Sequence, residues 1–102
     1  MRNAGETEPI ASETVFARVP NVLVRRTSTS VVVLADPPAV VLRGTGVAVW
    51  DVFETPQSFG DATAVLSRRY AAPIDVVRRD VHGVLVDLQR ANALRIESEA
   101  RA

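Results

Sequence analysis

The strongest constraint on this chain is a change of hydrophobic pattern in its first half, where short β-branched runs give way to helical periodicity. Residues 31–34 form a run of three valines and a leucine, flanked by two similar segments at Leu23–Arg26 and residues 39–42. Polar or proline-rich turns at residues 27–30 and 36–38 separate them. Short segments with this spacing predict a small antiparallel sheet of three strands.

Three helical segments follow, separated by Pro56 and Pro73. Thr45, Ser58 and Asp75 are the predicted N-caps, because their side-chain oxygens can accept hydrogen bonds from N–H groups of the first turn. Apolar residues at helical spacing define the predicted core stripes: Val49, Trp50 and Phe53, then Ala62, Val65, Leu66 and Tyr70, then Val77, Val81, Val84, Leu85 and Leu88. The third helix is expected to run to about residue 93.

Strands followed by helices predict an α+β fold. The predicted order, a three-stranded antiparallel sheet followed by three helices, is winged helix-turn-helix-like. A chain of 102 residues forms one domain. Residues 1–14 are polar and aperiodic and are interpreted as a flexible N-terminal arm, residues 15–94 as the folded domain, and residues 95–102 as a frayed C-terminal tail.

Composition excludes several classes of protein. The chain has no cysteine and a single histidine, His82, so neither a disulfide scaffold nor a cysteine- or multi-histidine metal site is expected. Its 12 basic residues, all arginine, balance 12 acidic ones, and a neutral chain is a poor match to phosphate backbones. No apolar run is long enough to span a bilayer, and the N-terminus lacks a secretory signal. A cytoplasmic protein is expected.

No catalytic motif is present either. The sequence has no nucleophile elbow, phosphate loop or paired-carboxylate motif. Residues 44–46, Gly-Thr-Gly, lack the further glycine and the lysine of a phosphate cradle, so a strand-to-helix turn is predicted there. We therefore expect a protein that is not an enzyme and carries neither cofactor nor metal.

Two stretches of the chain resemble the PqqD-like family. Residues 41–53, VLRGTGVAVWDVF, are similar to the family segment that joins a strand to the first helix. Leu66 and Tyr70, followed by residues 80–88 with the pattern D-V-x-x-V-L-x-x-L, are similar to its ending. Arg43 stands where the family usually has asparagine, and residues 92–94 replace its usual Gly-Leu ending.

This resemblance implies a recognition domain for ribosomally made precursor peptides. Such domains bind the leader segment as an added strand and present it to a modifying enzyme or leader peptidase of the same pathway. The leader would lie between the third predicted strand and the third helix. The peptide-binding residues implied are Ala39, Val40, Val41, Leu42, Arg43, Val76, Arg79, Asp80, Gly83, Val84 and Asp87. A monomer, or a weak dimer through the same edge, is expected, with neither nucleic acid nor membrane as a partner.

Gly83 is the least ordinary of these residues, because glycine inside a helix costs about 0.5–1 kcal/mol relative to alanine. Close approach of a bound chain would explain it, and so would close approach of the protein's own chain. Asp80 and Asp87 lie on the same helix flank, either to pair with cationic leader residues or as solvated charges. Trp50 and Phe53 are expected in the core.

Two other functions remain open on the sequence. A winged helix-turn-helix DNA-binding protein would use Arg68-Arg69 and Arg78-Arg79 as phosphate contacts, although acidic residues on the third helix oppose this. The second alternative is a structural subunit of a larger enzyme.

Overall fold

The computed structural model describes residues 10–34 and 39–98. The elements in chain order are β1 (Val15–Arg18), β2 (Leu23–Arg26), β3 (Ser30–Leu34), β4 (Val40–Arg43), α1 (Thr45–Val52), β5 (Gln57–Ser58), α2 (Phe59–Tyr70), α3 (Ile74–Arg90) and β6 (Leu94–Ser98). The predicted mixture of three helices with antiparallel strands is confirmed. The predicted order lacks three strands, because β1 precedes the meander, β5 lies between α1 and α2, and β6 follows α3.

The predicted meander is the sheet β2-β3-β4, in which both pairings are antiparallel. A second three-stranded sheet, β5-β1-β6, was not predicted. Its central strand β1 pairs with Gln57–Ser58 on one side and with Leu94–Ser98 on the other. These pairings join segments that are distant in sequence, and local patterns do not reveal them.

The ends of the chain pack more than the sequence indicated. Residues 10–14 belong to the predicted flexible arm, yet Thr14 is buried and its carbonyl accepts the Phe59 N–H at 2.9 Å. Ser12 accepts the Gly60 N–H at 2.9 Å through its own carbonyl. Arg95 to Ser98 pair with β1 instead of fraying. The remaining residues of the predicted arm and tail, 1–9 and 99–102, lie outside the described part of the chain.

The helix starts agree with the sequence at one of three positions. Ser58 caps α2, its Oγ accepting the Asp61 N–H at 3.0 Å. α1 begins at Thr45 itself, after Gly44 with φ of 55°, because the chain must turn sharply out of β4. α3 begins at Ile74 after Pro73, which places Asp75 in the first turn rather than at the cap. α3 ends at Arg90, three residues before the expected end.

One core lies between the sheets and the helices. Phe16 of β1 meets Phe53 edge to face, with ring centroids 6.2 Å apart, and Trp50 is also buried, as expected. Val31 and Val33 of β3 are fully buried, so the β2-β3-β4 sheet turns one face to this core. The core therefore fixes the orientation of β4 relative to α3.

Among the described residues, no helix is both long and apolar enough to cross a membrane.

Candidate functional site

The hydrogen-bond pattern of the β2-β3-β4 sheet determines which backbone groups of β4 are free. Thr27 donates its N–H to the Ser30 carbonyl at 2.9 Å, which makes these two residues a hydrogen-bonded pair at the end of the β2-β3 ladder. Such pairs alternate with non-bonded pairs along an antiparallel ladder. Val32 therefore directs its backbone groups to β2, and Val31 and Val33 direct theirs to β4.

Val41 consequently has its N–H and C=O free for a partner. Leu42 and Val40 stand opposite Val31 and Val33, so their backbone groups are used within the sheet. Val41 stands opposite Val32, and its N–H and C=O point to the side of β4 away from β3, which we call the open edge. No strand pairs with β4 on that side in the described part of the chain.

The side chains of β4 alternate between the core and solvent. Leu42 is buried at 5 % exposure and Val40 packs against the core, whereas Val41 is 51 % exposed. Arg43 is also exposed. The strand carries no proline and no inward charge that would block pairing with another chain.

A groove of about 410 Å³ lies between β4 and the end of α3. Its lining residues are Ala39, Val40, Val41, Asp87, Arg90 and Ala91. The lining is mainly apolar, with one carboxylate and one guanidinium at its helical side. The groove therefore places room for side chains beside the open edge.

Gly83 lies on α3 one turn before Asp87 and faces open space. A Cβ atom built on Gly83 would have no heavy atom of the described residues within 4 Å. Packing against the protein's own chain therefore does not explain this glycine. Its helix-weakening effect is not offset by any close approach within the described protein.

The predicted flank of α3 divides between two places. Asp87 lines the groove beside β4, whereas Val76 and Asp80 line a smaller cavity of about 60 Å³. Thr45 and Val49 of α1 lie on the wall of that cavity. The predicted flank of α3 therefore contributes to two separate cavities.

Seven of the eleven predicted peptide-binding residues do not line the groove: Val76 and Asp80 line the smaller cavity, and Leu42, Arg43, Arg79, Gly83 and Val84 line neither. The Leu42 side chain is buried and its backbone groups pair with β3, so in this structure Leu42 supports the strand from the core. Val84 packs partly into the core, and Arg79 is exposed without lining either cavity. Arg90 and Ala91 line the groove but were not among the predicted residues.

A cluster of charges at the far end of α1 has a structural role. Arg18 donates from Nη2 to the Trp50 carbonyl at 2.5 Å, and its guanidinium carbon lies 4.0 Å from the centroid of the Trp50 ring. Burial lowers the pKa of Arg18, and the nearby Glu54 and Asp51 carboxylates oppose that shift. Arg26 pairs with Asp51 at 2.6 Å. These contacts tie β1 and β2 to α1, away from the groove.

Metal chemistry has no support in the described residues, which contain no group of three His, Asp or Glu side chains able to hold an ion. The described site offers instead a strand edge, a groove and a few charges. An open strand edge beside a groove is the geometry that peptide-binding domains use for strand addition.

Comparison with known proteins identifies a family and a similar fold. The sequence model described as coenzyme PQQ synthesis protein D (PqqD) matches residues 31–94. No curated protein sequence matches the chain. The solution NMR structure of the PqqD truncation of Methylobacterium extorquens PqqCD is similar, with a TM-score of 0.70, 19 % identity and coverage of 85 % of this chain and 95 % of that one. That protein is described as a functional, stand-alone recognition element for ribosomally synthesized and post-translationally modified peptides.

Proposed function

Because this chain belongs to the PqqD family, we propose that it is a non-catalytic recognition domain that binds the leader segment of a ribosomally made precursor peptide. The leader adds to the open edge of β4 as a further strand. The domain then presents the precursor to a modifying enzyme or leader peptidase of the same pathway.

The free backbone of Val41 is the observation that carries this proposal. An unpaired N–H and C=O on a strand edge are ready to pair with another extended chain. Each such hydrogen bond contributes about 0.5–1.5 kcal/mol, and side-chain contacts add the rest of the affinity and the register. The groove beside the edge supplies those contacts.

The alternation of side chains along β4 also determines which side chains of the bound leader face solvent and which face the groove. A leader residue opposite Val41 exchanges backbone hydrogen bonds and turns its side chain to the solvent side of the sheet. Its neighbours in sequence lie opposite Val40 and Leu42 and turn inward, toward the groove and α3. Asp87 and Arg90 then meet polar or charged leader side chains of opposite sign.

The proposed site comprises the predicted contacts other than Leu42, together with the two residues that the groove adds. These are Ala39, Val40, Val41, Arg43, Val76, Arg79, Asp80, Gly83, Val84, Asp87, Arg90 and Ala91. Leu42 supports the strand from the core. Gly83 leaves space for the leader to pass close to the helix.

Amide chemical-shift mapping tests the proposal. The probe is a synthetic peptide with the sequence of the leader encoded beside this chain's gene. We expect shifts at residues 39–43 and 76–91. Shifts confined to residues 58–70, with both of those regions silent, would contradict strand addition.

The winged helix-turn-helix interpretation leads to DNA binding as the second candidate. One of its phosphate contacts is already occupied, because Arg78 donates to Ser12 Oγ at 3.1 Å and lies over the Phe59 ring. Asp75, Asp80 and Asp87 are exposed on the same helix and repel phosphate. A salt titration separates the two functions, since DNA binding weakens steeply with salt and strand addition does not.

We further propose that the free protein is a monomer, or a weak dimer through the open edge of β4. Added leader then dissociates the dimer, because both compete for the same backbone groups. Sedimentation with and without leader measures this. The third possibility, a structural subunit, predicts a stable complex with a partner protein that leader neither strengthens nor requires.

A further inference from the structure

The β2-β3-β4 sheet exposes an apolar face on the side away from the core. The alternation that buries Val31, Val33 and Leu42 turns their neighbours outward. We define the outer face by the described residues that share this orientation: Leu23, Arg25, Ser30, Val32, Leu34, Val41 and Arg43. Leu23, which pairs with Leu34, is 64 % exposed. These exposed apolar side chains make the outer face a candidate interaction surface, and its size and charge bear on what could cover it.

The charge of the outer face is one-sided. Arg25 and Arg43 belong to it, and none of its described residues is acidic. Two copies of this chain stacked through the outer face would enclose four arginines of that face and no carboxylate of its described residues. A protein surface with an apolar centre and carboxylates around it is complementary.

The outer face is small, on the order of 250 Å² from the spacing of three strands. A stable interface buries about 800 Å² on each partner. A leader strand on the open edge would widen the outer face, because every second leader side chain would point to the same side as Val41. The partner would then contact the sheet and the leader together.

We propose that the outer face, extended by the bound leader, is the docking surface for the enzyme that acts on the precursor, and that this enzyme presents an apolar patch with acidic residues around it. The inference rests on the proposed leader binding. It assigns opposite sides of one strand to the two partners: the backbone edge of β4 binds the leader, and its solvent-facing side chains contact the enzyme. Leader binding therefore strengthens enzyme binding.

The experiment compares the wild type with Leu23→Asp and Ile96→Asp. Ile96 is the matched control, being 39 % exposed on β6 of the other sheet. The probes are the synthetic leader and the purified modifying enzyme or peptidase encoded with the precursor. Each variant is titrated with leader, and then with the enzyme in the presence and absence of leader.

We expect Leu23→Asp to weaken enzyme binding to the leader complex by about tenfold or more, as truncation of a central contact does. Leader affinity should stay within about twofold, because Leu23 lies two strands away from the open edge. Ile96→Asp should change neither affinity. Added salt should weaken enzyme binding through the loss of charge attraction.

Equal enzyme binding by both variants, or an enzyme affinity that leader does not change, would overturn this inference while leaving leader binding intact. A wild-type dimer that Leu23→Asp dissociates would identify a second copy as the occupant instead. Flotation of the wild type, but not of Leu23→Asp, with phosphatidylglycerol vesicles would identify a membrane. Absence of leader binding by the wild type would instead refute the proposed function itself.

Discussion

Val41 is the residue on which the proposed strand addition depends most directly. Its side chain is exposed, its backbone groups are unpaired within the described chain, and its neighbours on both sides are held by β3 and the core. Backbone hydrogen bonds at a strand edge do not depend on the side chains of the added peptide, so almost any extended peptide can form them. Selectivity must therefore come from the groove and from α3.

Val41→Pro should abolish leader binding while the domain stays folded. Proline removes the outward N–H, and an edge position tolerates that loss. Val40→Pro is the matched control, because its N–H pairs with β3 and its loss destabilises the sheet instead. Calorimetry with leader and urea unfolding measure the two effects. A Val41→Pro variant that binds leader with unchanged affinity would refute pairing at this residue.

Gly83→Val should preserve the fold and weaken leader binding. Valine is no worse than glycine in a helix, and its Cβ meets no heavy atom of the described protein. The added methyl groups occupy the space that the leader crosses. Gly83→Ala serves as control and should raise the free energy of unfolding by about 0.5–1 kcal/mol. Unchanged leader affinity in folded Gly83→Val would remove this position from the site.

At the scale of elements, α2 is fixed by its two ends. Ser58 caps its start, and Ala71 follows its end in the left-handed region, with φ of 49°. Non-glycine residues adopt that conformation at a cost, and glycine is the usual residue there. α2 does not line the groove between β4 and α3, although Leu66 and Tyr70 line the smaller cavity. Changes at its ends therefore test stability with no direct change to the groove.

Ser58→Ala should lower the free energy of unfolding by about 1 kcal/mol, because the Asp61 N–H loses its acceptor. Ala71→Gly should act in the opposite sense, by relieving the left-handed alanine. Thermal or urea unfolding measures both. Leader affinity, measured where each variant is folded, should not change. Weaker leader binding by a folded variant would show that α2 belongs to the site.

At the scale of the molecule, β1 links three segments that are far apart in the sequence. It pairs with β5, which leads into α2, and with β6, which follows α3. Phe16, fully buried, anchors β1 in the core. The family match covers residues 31–94 and excludes both β1 and most of β6, so these strands complete the fold outside the matched segment.

Truncation of the chain after Leu94 should therefore destabilise the domain. The loss of Arg95 to Ser98 removes the β6 pairing and leaves one edge of β1 unpaired. Several backbone hydrogen bonds at about 0.5–1.5 kcal/mol each predict that the free energy of unfolding falls by a few kcal/mol. Urea unfolding is the measurement. Stability equal to that of the full chain would restore the interpretation of this segment as a tail.

The sequence predicted what local patterns determine. The β-branched run in β3 and the serine before α2 identified their elements, because each signal lies within a few residues. Gln57–Ser58 and Leu94–Ser98 are strands only because β1 lies between them, which no local pattern reveals. Likewise the outward direction of the Val41 N–H depends on the pairing register. That Arg90 and Ala91 line the groove depends on how α3 lies relative to β4.

The open edge of β4 also affects the tendency of the protein to aggregate at high concentration. An unpaired strand edge with apolar side chains is a template on which copies assemble into ordered aggregates. A bound leader occupies that template and adds its binding free energy to the stability of the native state. On the proposed function, the precursor would therefore protect this domain from aggregation. Co-production with the precursor should increase the yield of soluble domain.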